Sequence, residues 1–323
     1  MLFFVVAAWP LRAATGGSIS GAVRDPTGAV IPEATLELIN NGQRSVYRAS
    51  SDKQGLYSFP NLPVGEYDLT ISAPGFATQR KLNLTVDTDA ALQEDLTLSI
   101  AAHSDTITVT TSSGLQVDTI ATHLGEVISG TEMTALPLNG RSYTDLLAIQ
   151  PGVAPISTLL PSSVIMAGVT GSLDPSGDLN PGNLSINGQR ESSNGFEVNG
   201  IDVQEHMNGG TSIIPELDSI EEFRVLTNNF DPEYGNYNGG MVTVVTKPGT
   251  NELHGGAFEF LRNTALDARG YFDPTRSAFR QNQFAGTLGG PVRRDKVFFF
   301  GDYQGTRTNQ GVSTGYISVP TLA

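Results

Sequence analysis

Between residues 17 and 100, apolar and polar side chains alternate in short runs broken by turn residues. The runs cover 18–24, 34–39, 45–50, 56–59, 66–72, 78–86 and 91–98, and strands at roughly 8–12 residue spacing predict a small β-sandwich. Tyr67, Leu69 and Ile71 alternate with Asp68, Thr70 and Ser72, so one face is buried and the other is wet. Asp25-Pro26-Thr27-Gly28 and Asp52-Lys53-Gln54-Gly55 supply the turn chemistry between runs. Beyond residue 125 the periodicity is mixed. Residues 128–132 can start a one-turn helix, and 143–149 read as an amphipathic helical stretch closed by Gln150-Pro151-Gly152. Asn199-Gly200 joins the short runs 196–198 and 201–203 as a hairpin, because both residues tolerate positive φ. Strands are predicted over 222–227 and 241–246, the second a β-branched run stopped by Lys247-Pro248-Gly249. Aromatic-rich alternation returns at 256–262, 283–289 and 296–306.

Composition supports short strands and turns. The chain has 323 residues, with 36 Gly, 18 Pro and only 16% charged residues, enough for about two or three domains. A net charge of -14 argues against nucleic acid as a partner, since phosphate contacts need a basic surface. The absence of cysteine excludes disulfides, thiolate metal sites and a cysteine nucleophile. Residues 1–16 open on the apolar run MLFFVVAA and reach Arg12-Ala13-Ala14, a signal-peptide-like segment without a charged n-region that predicts export. At eight residues the run is far shorter than the roughly 20 a membrane-spanning helix requires. Residues 154–181, rich in Gly, Pro and Ser, form a long loop of the kind that is usually functional or mobile.

Two families are resembled. "SGAVRDPTGAVIPEATLEL" followed by "DKQGLYSFPNLPVGEYDLTISAPGF" is similar to the carboxypeptidase-regulatory-like domain, which implies a transthyretin-like β-sandwich over 17–100 with no catalytic role. "IEEFRVLTNNFDPEYGNYNGGMVTVVTKPGT" resembles the end of the plug domain of TonB-dependent outer-membrane transporters, and "NELHGGAFEFLR" resembles the first strand of their barrel. "LPLNGRSYTDLLAIQPGV" and "LSINGQRESSNGFEVNGIDV" look like the same group. "TNNFDPEYG" departs from the wider family and points to the Oar-like subgroup, which carries an N-terminal regulatory-like domain. The resemblance implies a mainly β chain: a signal-peptide-like segment, the sandwich, a linker at 101–125, an α+β plug over 126–250, and the start of an incomplete transmembrane β-barrel over 251–323. In the linker, Asp105, Thr106, Ile107, Thr108, Val109, Thr110 and Thr111 form an alternating β-prone segment suited to strand addition, and it resembles the TonB box. The plug motif maps onto Asn139, Gly140, Arg141, Asn187, Gly188, Arg190, Asn199, Gly200, Asp202, Tyr234 and Gly235.

The implied function is receptor-mediated uptake across the outer membrane. TonB would be the periplasmic energy-coupling partner, the plug and sandwich would lie on the periplasmic side, and the extracellular ligand is unknown. A barrel of about 22 strands needs far more chain than 251–323, so the sequence is read as the N-terminal part of a longer transporter or as a truncated gene product. The alternative is a soluble periplasmic or surface binding module built from a sandwich and a plug-like domain. Enzyme chemistry has little support, and no cofactor is implied. The four histidines are scattered, no Gly-x-Ser-x-Gly elbow occurs, and no phosphate loop ends in Gly-Lys-Ser/Thr. Asp202, Glu205 and His206 are the best metal-like cluster, and Asn228, Asn229, Asp231 and Glu233 lack the spacing of a calcium loop. No metal site is assigned to either.

Overall fold

The computed structural model describes residues 16–100, 106–110, 124–136, 138, 141, 143–147, 149–155, 184–190, 193–204, 211–230, 234–269, 276 and 278–310. The signal-peptide-like segment, most of the loop 154–181, Asp105, Thr111, Asn139, Gly140, Glu205, His206, Asp231 and Glu233 lie outside them.

The alternating runs form two facing sheets. One contains β4 (Leu56–Leu62), β1 (Gly17–Arg24) and β7 (Ala91–Gln93) in that order, with β8 (Leu96–Thr97) also paired to β1. The other runs β3 (Val46–Ser50), β2 (Thr35–Asn40), β5 (Gly65–Ser72), β6 (Thr78–Val86) and β9 (Thr106–Thr110). The inward positions Ile19, Leu36, Leu38, Tyr67, Leu69, Ile71 and Leu84 are fully buried and close one core. Burying such side chains contributes roughly 1.5–3 kcal/mol each before chain entropy is counted. The two buried tyrosines keep their hydroxyls satisfied, Tyr57 donating to the Glu94 carbonyl and Tyr67 to the Pro63 carbonyl, each at 2.6 Å.

Two features differ from the sequence expectation. The run 91–98 is two strands, with the Asp95 carboxylate between β7 and β8 accepting the Ala22 N–H of β1 at 2.9 Å. Thr106–Thr110 is not a free linker strand but the edge strand of the second sheet, parallel to β6 from Thr78↔Thr106 to Leu82↔Thr110.

A second five-stranded sheet follows in the order β10 (Leu124–Ser129), β15 (Ile220–Asn228), β16 (Met241–Thr246), β13 (Gly195–Val198), β14 (Ile201–Asp202). A small ladder pairs β11 (Val153–Pro155) with β12 (Leu184–Ile186). Ile128 belongs to β10, so the helix expected over 128–132 starts later, as α1 (Gly130–Ala135). Ser129 caps it through a reciprocal capping box with Glu132, each side chain meeting the other residue's backbone N–H. The amphipathic stretch at 143–149 forms α2 (Thr144–Leu147). Tyr143, Leu146 and Leu147 join Phe196, Phe223, Val225, Val242 and Val244 in a core separate from that of the sandwich. β15 and β16 are antiparallel, and a 3-10 turn (Leu217–Ser219) leads into β15.

The last sheet is a meander of β17 (His254–Asn263), β18 (Phe279–Arg293) and β19 (Val297–Gln310). β17, the shortest at 10 residues, already matches the roughly 9–11 residues a tilted strand needs to cross a bilayer. Register pairing puts His254, Phe258, Gln283, Ala285, Thr287, Phe300, Asp302 and Gln304 on one face. The opposite face carries Leu261, Phe284, Leu288, Phe299 and Tyr303 together with Glu259, Arg280 and Asn282. No helix among the described residues is long and apolar enough to cross a membrane, which leaves β-strand spanning untouched.

Candidate functional site

The motif residues of the central sheet act first as ties within it. Asn199 and Gly200 turn β13 into β14 with φ of 51° and 72°. The Asn199 amide bridges to β16, donating to Thr246 Oγ1 at 2.9 Å and accepting the Thr246 N–H at 3.0 Å. Asn187 and Gly188 form a second positive-φ turn, where Asn187 donates to the Thr227 carbonyl and to Asn228 Oδ1 at the end of β15. Asp202 accepts hydrogen bonds from Tyr237 Oη and the Gln204 N–H, both at 2.8 Å. Asp202 is therefore committed to holding the loop before β16, and the described residues contain no cluster of three His, Asp or Glu able to hold a metal. Tyr234 is buried against Phe230, with ring centroids 6.4 Å apart, and Gly235 follows in the turn. Arg190 contributes its backbone carbonyl to the Ser193 N–H at 2.9 Å.

Arg141, in the segment between α1 and α2, is the motif residue that reaches the C-terminal sheet. Its guanidinium donates to Asp218 Oδ2 at 2.7 Å and lies over the Phe258 and Phe260 rings of β17, 4.5 and 4.8 Å from their centroids. It lines a cavity of about 550 Å³ between the central and C-terminal sheets, with Thr134, Lys247, His254 and Thr287. Glu216 lies close to this pair, 4% exposed, and neither carboxylate oxygen makes a regular hydrogen bond. Burial pushes its carboxyl up to about 7; the Asp218 N–H and the Arg141 charge pull the other way, and the Asp218 carboxylate adds to the rise. Nothing in the pattern around Glu216 marks it beforehand, since its setting depends on residues far away in sequence.

The sandwich is fastened to the other two sheets at two points. Thr88, fully buried, donates its N–H and its hydroxyl to Glu222 Oε1 on β15, while its carbonyl accepts from Arg224 Nη1 at 2.6 Å. Burial pushes Glu222 up to about 7 against the two Thr88 hydrogen bonds, with Asp87 and Glu221 adding to the rise. Asn251 makes the second fastening. It donates to the Gln43 carbonyl at 2.8 Å and to Asp295 Oδ1 at 3.0 Å, and its own Oδ1 accepts the Asp295 N–H at 2.8 Å. One asparagine thus joins a sandwich loop to the turn between β18 and β19.

Comparison with known proteins assigns both ends of the chain. Residues 18–99 match the carboxypeptidase regulatory-like domain, and residues 245–323 match an outer membrane beta barrel domain. Over 91% of its length the chain is 27% identical to the TonB-dependent transporter Oar of Myxococcus xanthus. The chain is a relative of the TonB-dependent outer-membrane transporters. It spans about a quarter of that relative, 27% of its length. The barrel-domain match and the transporter relative put the chain at the outer membrane. Among solved structures, the siderophore receptor PirA of Acinetobacter baumannii aligns with 56% of this chain and 24% of its own at 20% identity and a TM-score of 0.40. A variant of the ferric enterobactin receptor PfeA of Pseudomonas aeruginosa aligns with 52% and 22% at 16% identity and 0.36. Both superpositions are too loose to carry an argument.

Proposed function

We propose that this chain is the N-terminal part of a TonB-dependent outer-membrane receptor that takes up an extracellular ligand. The sandwich faces the periplasm, residues 126–250 act as the plug, and β17 to β19 begin the barrel that the plug gates. Residues 105–111 act as the TonB box, and pairing with TonB lets inner-membrane energy displace the plug. The observation that supports this reading most is the polarity of the last sheet. The face carrying Gln283, Thr287, Asp302 and Gln304 is turned toward the central sheet, where Arg141 stacks on its Phe258 and Phe260. Its other face offers Leu288, Phe299 and Tyr303, which are 50%, 39% and 67% exposed. Large apolar and aromatic side chains left exposed at these three positions suit lipid better than water, which favours the receptor over the soluble binding module. The motif residues then serve the plug as turn and tie positions, with Arg141 as its contact to the barrel wall.

The test is titration of the chain with the C-terminal domain of TonB, in detergent, beside a chain lacking residues 105–111. Binding by the first and loss of binding by the second is the expected result. No binding by the intact chain, together with undiminished uptake in cells whose receptor lacks the segment, would overturn the proposal.

A further inference from the structure

Among the described residues, Thr106–Thr110 is paired on one side only. β9 closes the order β3-β2-β5-β6-β9, so among the described residues no strand lies beyond it. Its five residues pair in parallel with β6, at Thr78↔Thr106, Gln79↔Ile107, Arg80↔Thr108, Lys81↔Val109 and Leu82↔Thr110. In such a ladder alternate backbone groups point to opposite sides, so the groups not spent on β6 form an open row along the outer edge. A free peptide loses about 1–2 kcal/mol per residue on being fixed as a strand. Here β6 has already fixed the strand, and a partner that adds to its outer edge avoids that loss.

We infer that the sandwich is a presentation platform: a coupling partner with an unpaired strand edge adds beside β9 as the next strand of the sandwich sheet, and the β6–β9 pairing persists in the complex. This rests on the reading of residues 105–111 as the coupling segment and adds a role for the regulatory-like domain within it. The opposite arrangement, in which β6 hides the strand and must release it, predicts the reverse response to locking.

The absence of cysteine from the chain makes the lock unambiguous. Arg80→Cys with Thr108→Cys places two thiols on register partners, whose strands lie about 4.7–4.9 Å apart, within the Cα separation a disulfide tolerates. The oxidised and reduced forms of the full chain are titrated by calorimetry with the C-terminal domain of TonB. The expected result is ready oxidation and affinities within about threefold of each other, since the partner's backbone ladder is untouched. A loss of about tenfold or more on oxidation, with binding intact when reduced, would overturn the inference, show that β6 competes for the strand, and leave the proposed function standing. Failure to oxidise would overturn it too, because the β6–β9 pairing would then be absent in solution. If neither form nor the parent chain binds, the proposed function falls and takes the platform with it.

Discussion

Arg141 shows how one side chain can join two structural units. Its charge is shared between the Asp218 carboxylate and two aromatic faces, a use that needs a planar cation. Arg141→Ala removes the guanidinium that Asp218 pairs with and that stacks on Phe258 and Phe260, and a loss of ~1–3 kcal/mol in denaturant unfolding is expected. Arg141→Lys keeps the charge but not the stacking and falls between the two. Equal stability of all three would refute the bridge. Glu222 gives a pH dependence whose sign is fixed by burial. Its carboxyl, ordinarily near 4.5, rises to about 7 in the folded chain, so the folded form holds a proton that the unfolded form releases across that window. Stability from this group is therefore fully present below about pH 4.5 and is lost as pH rises toward 7. Glu216 behaves in the same sense. Glu222→Gln retains an oxygen for the Thr88 donors but has no charge to desolvate. It is expected to flatten the slope of the melting temperature between pH 5 and 7, and to be more stable than the parent at pH 8 by ~1–3 kcal/mol. An unchanged slope would mean that the carboxylate is not buried at Thr88.

At the scale of elements, the hairpin of β13 and β14 joins a turn requirement to a tie across the sheet. Asn199→Gly keeps the positive φ but loses both bonds to Thr246, whereas Asn199→Ala loses the bonds and strains the backbone as well. Ala is expected to cost ~1–2 kcal/mol more than Gly at this position, measured by urea unfolding; the reverse order would remove the left-handed turn from the account. This hairpin was legible in sequence because its signal is local. So were most sandwich strands, whose alternation survives as buried and wet faces. The break between β7 and β8 was not, because Asp95 reads as an ordinary wet-face residue until Ala22 on β1 is known to lie opposite. The docking of β9 on β6 was equally hidden. Parallel pairing leaves no turn signature, and its register is set by backbone groups that every residue carries. Of the motif positions, Asn199-Gly200 was legible as a turn, but Arg141's partners on β17 lie more than a hundred residues away, and sequence spacing carries no hint of them.

For the molecule as a whole, the proposed receptor reading requires one side of the last sheet to meet lipid. The register places Phe299 and Tyr303 on one face with Phe284 and Leu288, and Asp302, Gln304 and Thr306 on the other with Gln283 and Thr287. Phe284 meets Tyr303 on the outer face at 6.3 Å between centroids, and His254 stacks on Phe300 on the inner face at 6.1 Å. The same inner face receives Arg141, so sidedness and the bridge to the central sheet are one geometric fact. Because the chain has no cysteine, single substitutions can report it directly. Tyr303→Cys and Phe299→Cys, labelled with an environment-sensitive fluorophore and reconstituted with brominated lipid in the context of the full receptor, are expected to be strongly quenched. Asp302→Cys and Gln304→Cys are expected to be quenched several-fold less, since adjacent residues on a strand face opposite sides. Equal quenching at both parities would mean that the sheet does not separate lipid from lumen, and the barrel reading would fail at its first three strands. Strong quenching at the even positions alone would turn the sheet over. Arg141 would then be gripping the lipid side, a placement that the cost of a charged side chain in hydrocarbon forbids.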